Sequence, residues 1–278
     1  MTERIECQRG GPIVRVQHLR KTYVQRRPFS RTEHTVRALE DASLTISGGT
    51  TLALVGDSGS GKSTLARCLA LLERPSAGEI WFDGRNLLEL TSEELFAVRS
   101  QIQLIFQESA SALNPRMTAL EIVAEPLAIQ NRGTKSQQRD RAMEWILRVG
   151  LPTDSERKRP MEFSGGQRQR LAIARALILE PKLLILDEAL SGLDLANQEM
   201  IVELLAHRQA ELSLTYLHIS HDLRLVSQFA HEIAVMNDRR IVEQQPAAKL
   251  FANPQEAYTR DLLLAMPSLE SICLDRSA

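Results

Sequence analysis

A run of glycine, serine and lysine residues at positions 56–63 is the part of this chain whose spacing most clearly implies chemistry. It matches the pattern G-x-x-x-x-G-K-[ST], in which glycines let successive backbone N–H groups turn toward one centre. The N-terminus of a following helix and the lysine side chain would add positive potential for phosphate groups. The predicted phosphate-binding residues are Gly56, Asp57, Ser58, Gly59, Ser60, Gly61, Lys62, Ser63 and Thr64.

The flanking residues support this interpretation. An apolar run at 51–55 is typical of a buried strand, and the residues 64–72 follow a helical pattern. A glycine- and serine-rich turn is the alternative, but the order strand, loop, helix favours a phosphate loop. Ser63 would then bind Mg²⁺, and Lys62 would reach the outer phosphates of a nucleotide and neutralise their charge during reaction.

Paired acids follow a second apolar run. Residues 183–186 are predicted to form a buried strand that presents Asp187 to the Mg²⁺ ion. Glu188 comes next, where it could orient or deprotonate an attacking water. In isolation, two such acids more often lie at the N-terminus of a helix, where they interact with its dipole. The phosphate loop earlier in the chain favours the catalytic interpretation instead.

A serine and two glycines at residues 163–167 mark a second candidate anion site. Ser164, Gly165, Gly166 and Gln167 precede a helix that we predict over 168–179. A serine at the start of a helix, followed by residues without side chains, can present backbone N–H groups to phosphate.

Composition indicates an ordinary globular chain. Its 278 residues, 43% of them hydrophobic, can bury a sizeable core in one or two domains. A net charge of −1 and a pI near 6.6 give little support to nucleic-acid binding. The one local basic cluster is predicted to be a solvated loop, with a surface facing anionic lipid as the alternative. Its members are Arg20, Lys21, Arg26, Arg27, Arg31 and Arg37.

The three cysteines are scattered, which predicts a reducing compartment without a disulfide framework. The N-terminal residues lack the apolar centre of a signal peptide, and no stretch approaches the ~18 apolar residues of a membrane span. We therefore expect a soluble chain that needs other subunits for any membrane process.

The distribution of apolar runs predicts an α/β fold. Alternating residues at 13–16, 42–46 and 78–84 favour an antiparallel sheet beside the phosphate loop. Apolar runs at 101–106, 182–186, 215–219 and 232–236, separated by helical segments, favour a mainly parallel sheet with helices on both faces. Helical spacing at 118–129 and 136–149 favours a helical insertion.

Together these motifs resemble the nucleotide-binding subunit of ATP-binding cassette (ABC) transporters, over residues 13–245. The resemblance implies a P-loop NTPase fold and an ATPase that works as a head-to-tail dimer. Each ATP would lie between the phosphate loop of one subunit and residues 164–167 of its partner. The resemblance also implies a single nucleotide-binding domain. Its core would comprise residues 12–107 and 180–245 and would include an antiparallel β subdomain. Residues 108–179 would form a helical subdomain, and residues 246–278 a short C-terminal extension.

The resemblance assigns four further site residues. Tyr23 matches the aromatic that stacks on adenine, with a structural tyrosine as the alternative. Gln107 matches the glutamine that touches Mg²⁺ and water and links the ATP state to the membrane subunits. Asp194 ends the motif at 191–194 and contacts nucleotide, and His221 matches the histidine that contacts the γ-phosphate. His218 is predicted to pack in the core, because positions three apart on a strand face opposite sides.

Residues 111–118 and 253–263 resemble segments of oligopeptide, dipeptide and nickel importer ATPases. This implies a second ABC ATPase subunit, two transmembrane permeases and an extracytoplasmic substrate-binding protein, with this chain peripheral at the cytoplasmic face of the inner membrane and no nucleic-acid partner. The cargo would be peptide or nickel. The alternatives are an exporter or membrane-remodelling ATPase and, less favoured, a non-transport ABC ATPase that acts on nucleic acid or ribosomes.

Overall fold

The computed structural model describes residues 12–26, 33–106, 112–191 and 193–265, so Gln107 and Gly192 lie outside the described residues. The strands are β1 Pro12–Arg26, β2 Glu33–Ser47, β3 Thr51–Val55, β4 Ala77–Phe82, β5 Arg85–Asn86, β6 Ile102–Ile105, β7 Leu183–Asp187, β8 Thr215–Ile219, β9 Glu232–Asn237 and β10 Arg240–Pro246. The helices are α1 Lys62–Leu69, α2 Ser92–Arg99, α3 Ala119–Ile129, α4 Lys135–Arg148, α5 Gly165–Leu177, α6 Leu195–Leu212, α7 Leu223–Phe229, α8 Ala247–Ala252 and α9 Ala257–Leu264. Two short 3₁₀ helices occupy Thr153–Arg157 and Pro160–Glu162.

The described strands form a sheet in the order β5-β4-β1-β2-β10-β9-β3-β8-β7-β6. The five strands from β9 to β6 are parallel, whereas β1 pairs with β2 and β4 in antiparallel fashion. The predicted α/β fold class, with a mainly parallel sheet and an antiparallel β portion, is confirmed.

Helices cover both faces of the parallel strands. Leu52 and Leu54 of β3 pack in a buried cluster with Leu65 of α1, whereas Ala53 and Val55 pack in another with residues of α7. Consecutive side chains of a strand point to opposite faces, so an uninterrupted apolar run is what a sheet buried on both sides requires. This packing fixes the ends of the central strands, from which the candidate site is built.

The helices α3, α4 and α5 lie between β6 and β7 in the chain and share a buried cluster that includes Trp145 and Leu171. The helices predicted over 118–129 and 136–149 are confirmed as α3 and α4. Each begins with a threonine whose hydroxyl accepts a backbone N–H three residues on. None of the helices in the described ranges combines the length and hydropathy that a bilayer crossing requires.

One predicted helix start was wrong. The helix expected over 168–179 begins at Gly165 and ends at Leu177. The reason is the cap: Ser164 accepts the N–H of Gln167, and the Gln167 side chain accepts the N–H of Ser164, so the first helical turn already contains both glycines.

The prediction of a basic loop was also wrong for the residues that the structure describes. Arg20, Lys21 and Arg26 belong to β1, and Arg37 belongs to β2, in a two-stranded ribbon that pairs as far as Arg26 with Glu33. Pairing of β-branched and aromatic residues, such as Tyr23 opposite Val36, holds the ribbon together. Arg27 and Arg31 lie outside the described residues.

Candidate nucleotide-binding site

The strand order brings the carboxyl ends of β3, β8 and β7 together at one edge of the sheet. Ile219, the last residue of β8, pairs with Leu54 on one side and with Asp187 on the other. Loops at the carboxyl ends of parallel strands are where α/β proteins bind ligands. The phosphate loop, the acidic pair and the His221 segment therefore meet here although they are far apart in the chain.

Two glycines of the phosphate loop are required by the backbone. A Cβ atom on Gly56 would stand 2.0 Å from the carbonyl oxygen of Met236, and one on Gly61 would stand 2.6 Å from that of Ala38. Both residues have positive φ, at 145° and 111°. Gly61 also precedes α1 without any side-chain cap, so the N–H groups of the first turn stay available to an anion.

The ammonium group of Lys62 lies inside this loop. Its Nζ donates to the carbonyl oxygens of Gly56 at 2.8 Å and Asp57 at 2.7 Å, and contacts Ser60 Oγ at 3.4 Å. Burial lowers the pKa of Lys62, while the nearby carboxylates, Glu188 foremost, act in the opposite direction. A buried cation held by neutral carbonyls is well placed to exchange them for phosphate oxygens.

Ser63 and Asp187 form a pair of hard oxygen donors. Ser63 Oγ donates to Asp187 Oδ1 at 3.1 Å, and only 5% of Asp187 is exposed. Burial raises the pKa of Asp187, so a cation beside it would relieve an unfavourable buried charge. Hydroxyl and carboxylate oxygens suit Mg²⁺, which takes one or two carboxylates together with phosphates and water. Among the described residues no group of three or more His, Cys, Asp or Glu side chains could hold a metal.

Glu188 and His221 lie next to each other in the wall of one cavity. His221 Nδ1 lies 3.6 Å from Glu188 Oε1. Glu188 has a φ of 50°, which is uncommon for a residue with a side chain, and its N–H donates to Ile219 O at 3.0 Å. Both side chains line a cavity of about 360 Å³ that Gly56 and Lys62 also line. This turn after β7, which the sequence did not indicate, puts a carboxylate beside the phosphate loop.

Tyr23 lies beside α1. Its hydroxyl donates to Glu73, which also accepts from Arg67 at 3.2 Å, and it interacts with the Thr64 side chain. The Lys21 ammonium lies 5.0 Å from the centre of the Tyr23 ring. Tyr23 is thus tied to the first turns of the helix that follows the phosphate loop. Glu73 was not predicted from the sequence, because it lies 50 residues from Tyr23 and no motif links the two.

His218 belongs to the core, as predicted. It is 1% exposed and meets the ring of Phe229 edge-on at 5.9 Å. Burial lowers its pKa to about 4, so the imidazole is neutral at physiological pH. Its neighbour His221, by contrast, is exposed.

The residues of the second candidate anion site do not line this cavity. Ser164 and Gly165 are exposed at the start of α5, and a Cβ atom on Gly165 would meet nothing within 4 Å. A Cβ atom on Gly166 would lie 3.4 Å from Leu193 Cδ2, beside Asp194, which caps α6 by accepting the N–H of Asn197. Residues 164–167 and Asp194 therefore lie near each other and away from the phosphate loop cavity of the same chain.

Two residues near the chain end also belong to the site. Tyr258 and Leu262, both on α9, contact the phosphate loop or line its cavity. The segment 253–263 was notable in the sequence only as a family resemblance, and nothing in its composition indicated a nucleotide site. The fold brings it there because α9 packs against β3 and α7.

A family model described as "ABC transporter" matches residues 39–191. The chain is 40% identical over 258 residues to the dipeptide transport ATP-binding protein DppF of Escherichia coli (strain K12), covering 93% of this chain and 77% of that protein. It is 42% identical over 256 residues to the probable peptide ABC transporter ATP-binding protein y4tS of Sinorhizobium fredii (strain NBRC 101917 / NGR234), covering 92% and 72%.

Solved structures show the same relationship. The ATP-binding cassette MJ0796, in a dimeric post-hydrolysis state bound to ADP and Pi, superposes with a TM-score of 0.76 at 31% identity, covering 84% of this chain and 98% of that chain. CbiO1 from Clostridium perfringens, part of the ABC transporter complex cbiONQ, gives a TM-score of 0.74 at 27% identity, covering 95% and 99%. The chain therefore belongs to the ABC transporter family and is one of its ATP-hydrolysing subunits.

Proposed function

We propose that this chain hydrolyses ATP to drive the import of peptides through separate permease subunits. The observation that carries the ATPase part is the convergence of Lys62, Ser63, Asp187, Glu188 and His221 on one edge of the sheet. The relatives DppF and y4tS, named for dipeptide and peptide transport, support the cargo class. The nickel alternative stays a prediction.

The first step is nucleotide binding. Residues 56–64 surround the phosphates with backbone N–H groups, and Lys62 leaves the carbonyl oxygens of Gly56 and Asp57 to contact the outer phosphates. Ser63, Asp187 and Gln107 would hold Mg²⁺, which would supply positive charge to neutralise the phosphates. Tyr23 stacks on the adenine ring, with its orientation fixed by Glu73.

Hydrolysis then depends on placing a water in line with the γ-phosphate. Glu188, directly after β7, orients that water and accepts its proton as the water oxygen bonds to the γ-phosphorus. The bond from that phosphorus to the bridging oxygen breaks, so that ADP and phosphate are the products, while His221, beside Glu188, contacts the γ-phosphate. Phosphoryl transfer needs mainly positioning and charge neutralisation, which Lys62 and the loop N–H groups provide.

The site is completed by a partner subunit. In the head-to-tail dimer that we propose, Ser164, Gly165, Gly166, Gln167 and Asp194 of one subunit contact the ATP held by the other. The dimeric state of MJ0796, bound to ADP and Pi, supports this arrangement. It also agrees with the separation of residues 164–167 from the phosphate loop cavity within one chain.

Closure of the dimer is passed to two permease subunits by Gln107 and the helical segment 108–179. The chain works at the cytoplasmic face of the inner membrane, and an extracytoplasmic substrate-binding protein delivers the peptide. We expect mild cross-linking in native membranes, followed by mass spectrometry, to recover two permeases and a second ATPase. Recovery of ribosomal or DNA-associated proteins without a permease would contradict the transport function.

Replacing Glu188→Gln tests the catalytic site. We expect ATP turnover to fall by about 10²-fold or more, since the amide cannot accept the proton, while ATP still binds. Glu180→Gln is a matched control, because Glu180 is exposed and lies just before the opposite end of β7. Steady-state phosphate release and equilibrium binding of ATP measure the two effects. Near-normal turnover in Glu188→Gln would remove this residue from its proposed role.

A further inference from the structure

The helix α9 touches the phosphate loop directly. The backbone N–H of Asp57 donates to the Tyr258 hydroxyl at 3.0 Å, and Leu262, one turn further along α9, lines the same cavity as Lys62 and Glu188. The Tyr258 hydroxyl also interacts with the Asp57 side chain. We propose that Tyr258 is a positioning residue of the nucleotide site and holds the first turn of the phosphate loop in its binding conformation.

Asp57 is held from two sides. Its N–H donates to Tyr258, and its carbonyl oxygen accepts from Lys62 Nζ at 2.7 Å. When Lys62 turns to the phosphates, as the proposed function requires, the carbonyl contact is lost and the contact with Tyr258 remains. Asp57 is exposed, so without the tyrosine its N–H would face water, and the hydrogen bond that its carbonyl oxygen accepts from Ser60 N–H at 3.2 Å would have to hold this residue. Because Tyr258 already holds the loop, less conformational entropy is lost when a nucleotide binds.

The position of Tyr258 is fixed by a buried carboxylate. Glu243 on β10 is 7% exposed, and its two oxygens accept the N–H groups of Gln255 at 2.9 Å and Glu256 at 3.1 Å. A carboxylate at the start of a helix satisfies donors that the helix itself leaves unpaired. Burial alone would raise the pKa of Glu243, but these hydrogen bonds and one donated by the Gln245 side chain lower it, so the anchor stays ionised at neutral pH.

Packing completes the connection from the sheet to the loop. Tyr258, Leu262 and Leu263 lie against the buried cluster that contains Val55, the residue directly before Gly56. The phosphate loop is thus supported by β3 from within and by α9 from outside. We expect nucleotide affinity to depend on this contact, even though Tyr258 lies 201 residues from Asp57 in the chain.

The test is Tyr258→Phe in the full chain, which removes one hydroxyl and keeps the ring packed. Loss of one neutral hydrogen bond should raise the Kd for ADP about fivefold and raise KM for MgATP similarly, with kcat within about twofold of the unmodified chain. Isothermal titration with ADP and steady-state phosphate release measure these values. The split between KM and kcat distinguishes positioning of the loop from a general loss of folded protein.

Tyr216→Phe is the matched control. Tyr216 is fully buried, and its hydroxyl donates to Leu205 O at 2.9 Å, outside the nucleotide cavity. We expect this variant to lower the unfolding temperature and leave the Kd for ADP unchanged. An unchanged Kd in Tyr258→Phe, or an equal rise in both variants, would overturn the inference. If the unmodified chain bound no ADP, the proposed function would fail together with the inference.

A second variant tests the anchor. Glu243→Gln keeps the shape of the side chain but offers one acceptor oxygen in place of two, so it should loosen α9 and raise the Kd for ADP. Because both residues act through the same helix, the double variant with Tyr258→Phe should raise the Kd less than the product of the two single effects. Fully multiplicative effects would show that Glu243 and Tyr258 act independently and would overturn the anchoring role.

Discussion

Two segments of this chain look alike in sequence, since each places serine and glycine residues before a helix, but the fold treats them differently. In the phosphate loop, Gly56 and Gly61 have positive φ and leave no room for a side chain. At the start of α5, Gly165 has open space around it, and Ser164 already caps the helix. Contacts within the subunit therefore require glycine in the first segment but not in the second.

Gly56 and Gly165 differ in the reason why glycine would be needed at each position. Gly56 is required by Met236 O, a contact inside the subunit, whatever else binds. Nothing in the described structure requires Gly165, and alanine would suit a helix better there. If glycine is needed at this position, the reason lies outside the subunit. That supports the proposal that residues 164–167 contact a nucleotide held by a partner.

The largest expected effect is on the first segment. Gly56→Ala places a Cβ atom 2.0 Å from a backbone oxygen, so we expect the free energy of unfolding to fall by about 3 kcal/mol or more. Nucleotide binding should be lost even in the protein that stays folded, because the loop must move. Chemical denaturation and ADP titration measure the two quantities.

Gly78→Ala is the control, since its Cβ atom would stand 2.5 Å from His18 O, in the antiparallel part of the sheet. It should be destabilising but should leave the affinity of the folded fraction for ADP intact. Equal loss of affinity in both variants would show that strain anywhere disables the site, and the comparison between the two segments would fail.

The second prediction concerns Gly165→Ala. Its free energy of unfolding should stay unchanged or rise by up to about 0.5–1 kcal/mol, because alanine has the higher helix propensity and the space is empty. ADP affinity of the single subunit should also be unchanged. ATP turnover should fall by about tenfold, since a methyl group would separate the N–H groups of α5 from the phosphates of the partner's ATP. Normal turnover would contradict a role for this glycine across the dimer.

Patterns that repeat locally made most of the fold predictable. The run at 51–55 became β3 with its bounds intact, and 118–129 became α3 within one residue, because buried strands and amphipathic helices have characteristic periods. The strands at 13–16 and 42–46 were predicted, but their continuation as residues 17–26 of β1 and 33–41 of β2 was missed, because its stability comes from pairing between the two strands, as between Tyr23 and Val36, while its own residues are rich in charge.

The residues of the site were predictable where a motif has a fixed spacing, as in the loop at Lys62. The contacts around them were not. Glu73 holds Tyr23 across 50 residues, and Tyr258 meets Asp57 across 201. Such pairs are set by the order of strands in the sheet, which no local pattern records. Glu188, whose φ is positive, likewise makes a long-range contact, since its N–H donates to Ile219 O.

The smallest expected effect separates the two functions of Ser164 itself. Ser164→Ala removes the hydroxyl that accepts the N–H of Gln167, which should lower the free energy of unfolding by about 1 kcal/mol. Thr134 caps α4 in the same way, with Gln137 as its partner at the same 3.3 Å. Thr134→Ala should therefore cost about as much stability.

The two caps differ in what we propose lies in front of them: a phosphate for Ser164 and only water for Thr134. ATP turnover should fall in Ser164→Ala and stay unchanged in Thr134→Ala when both are measured well below their unfolding temperatures. Equal turnover in the two variants would mean that Ser164 does no more than start a helix.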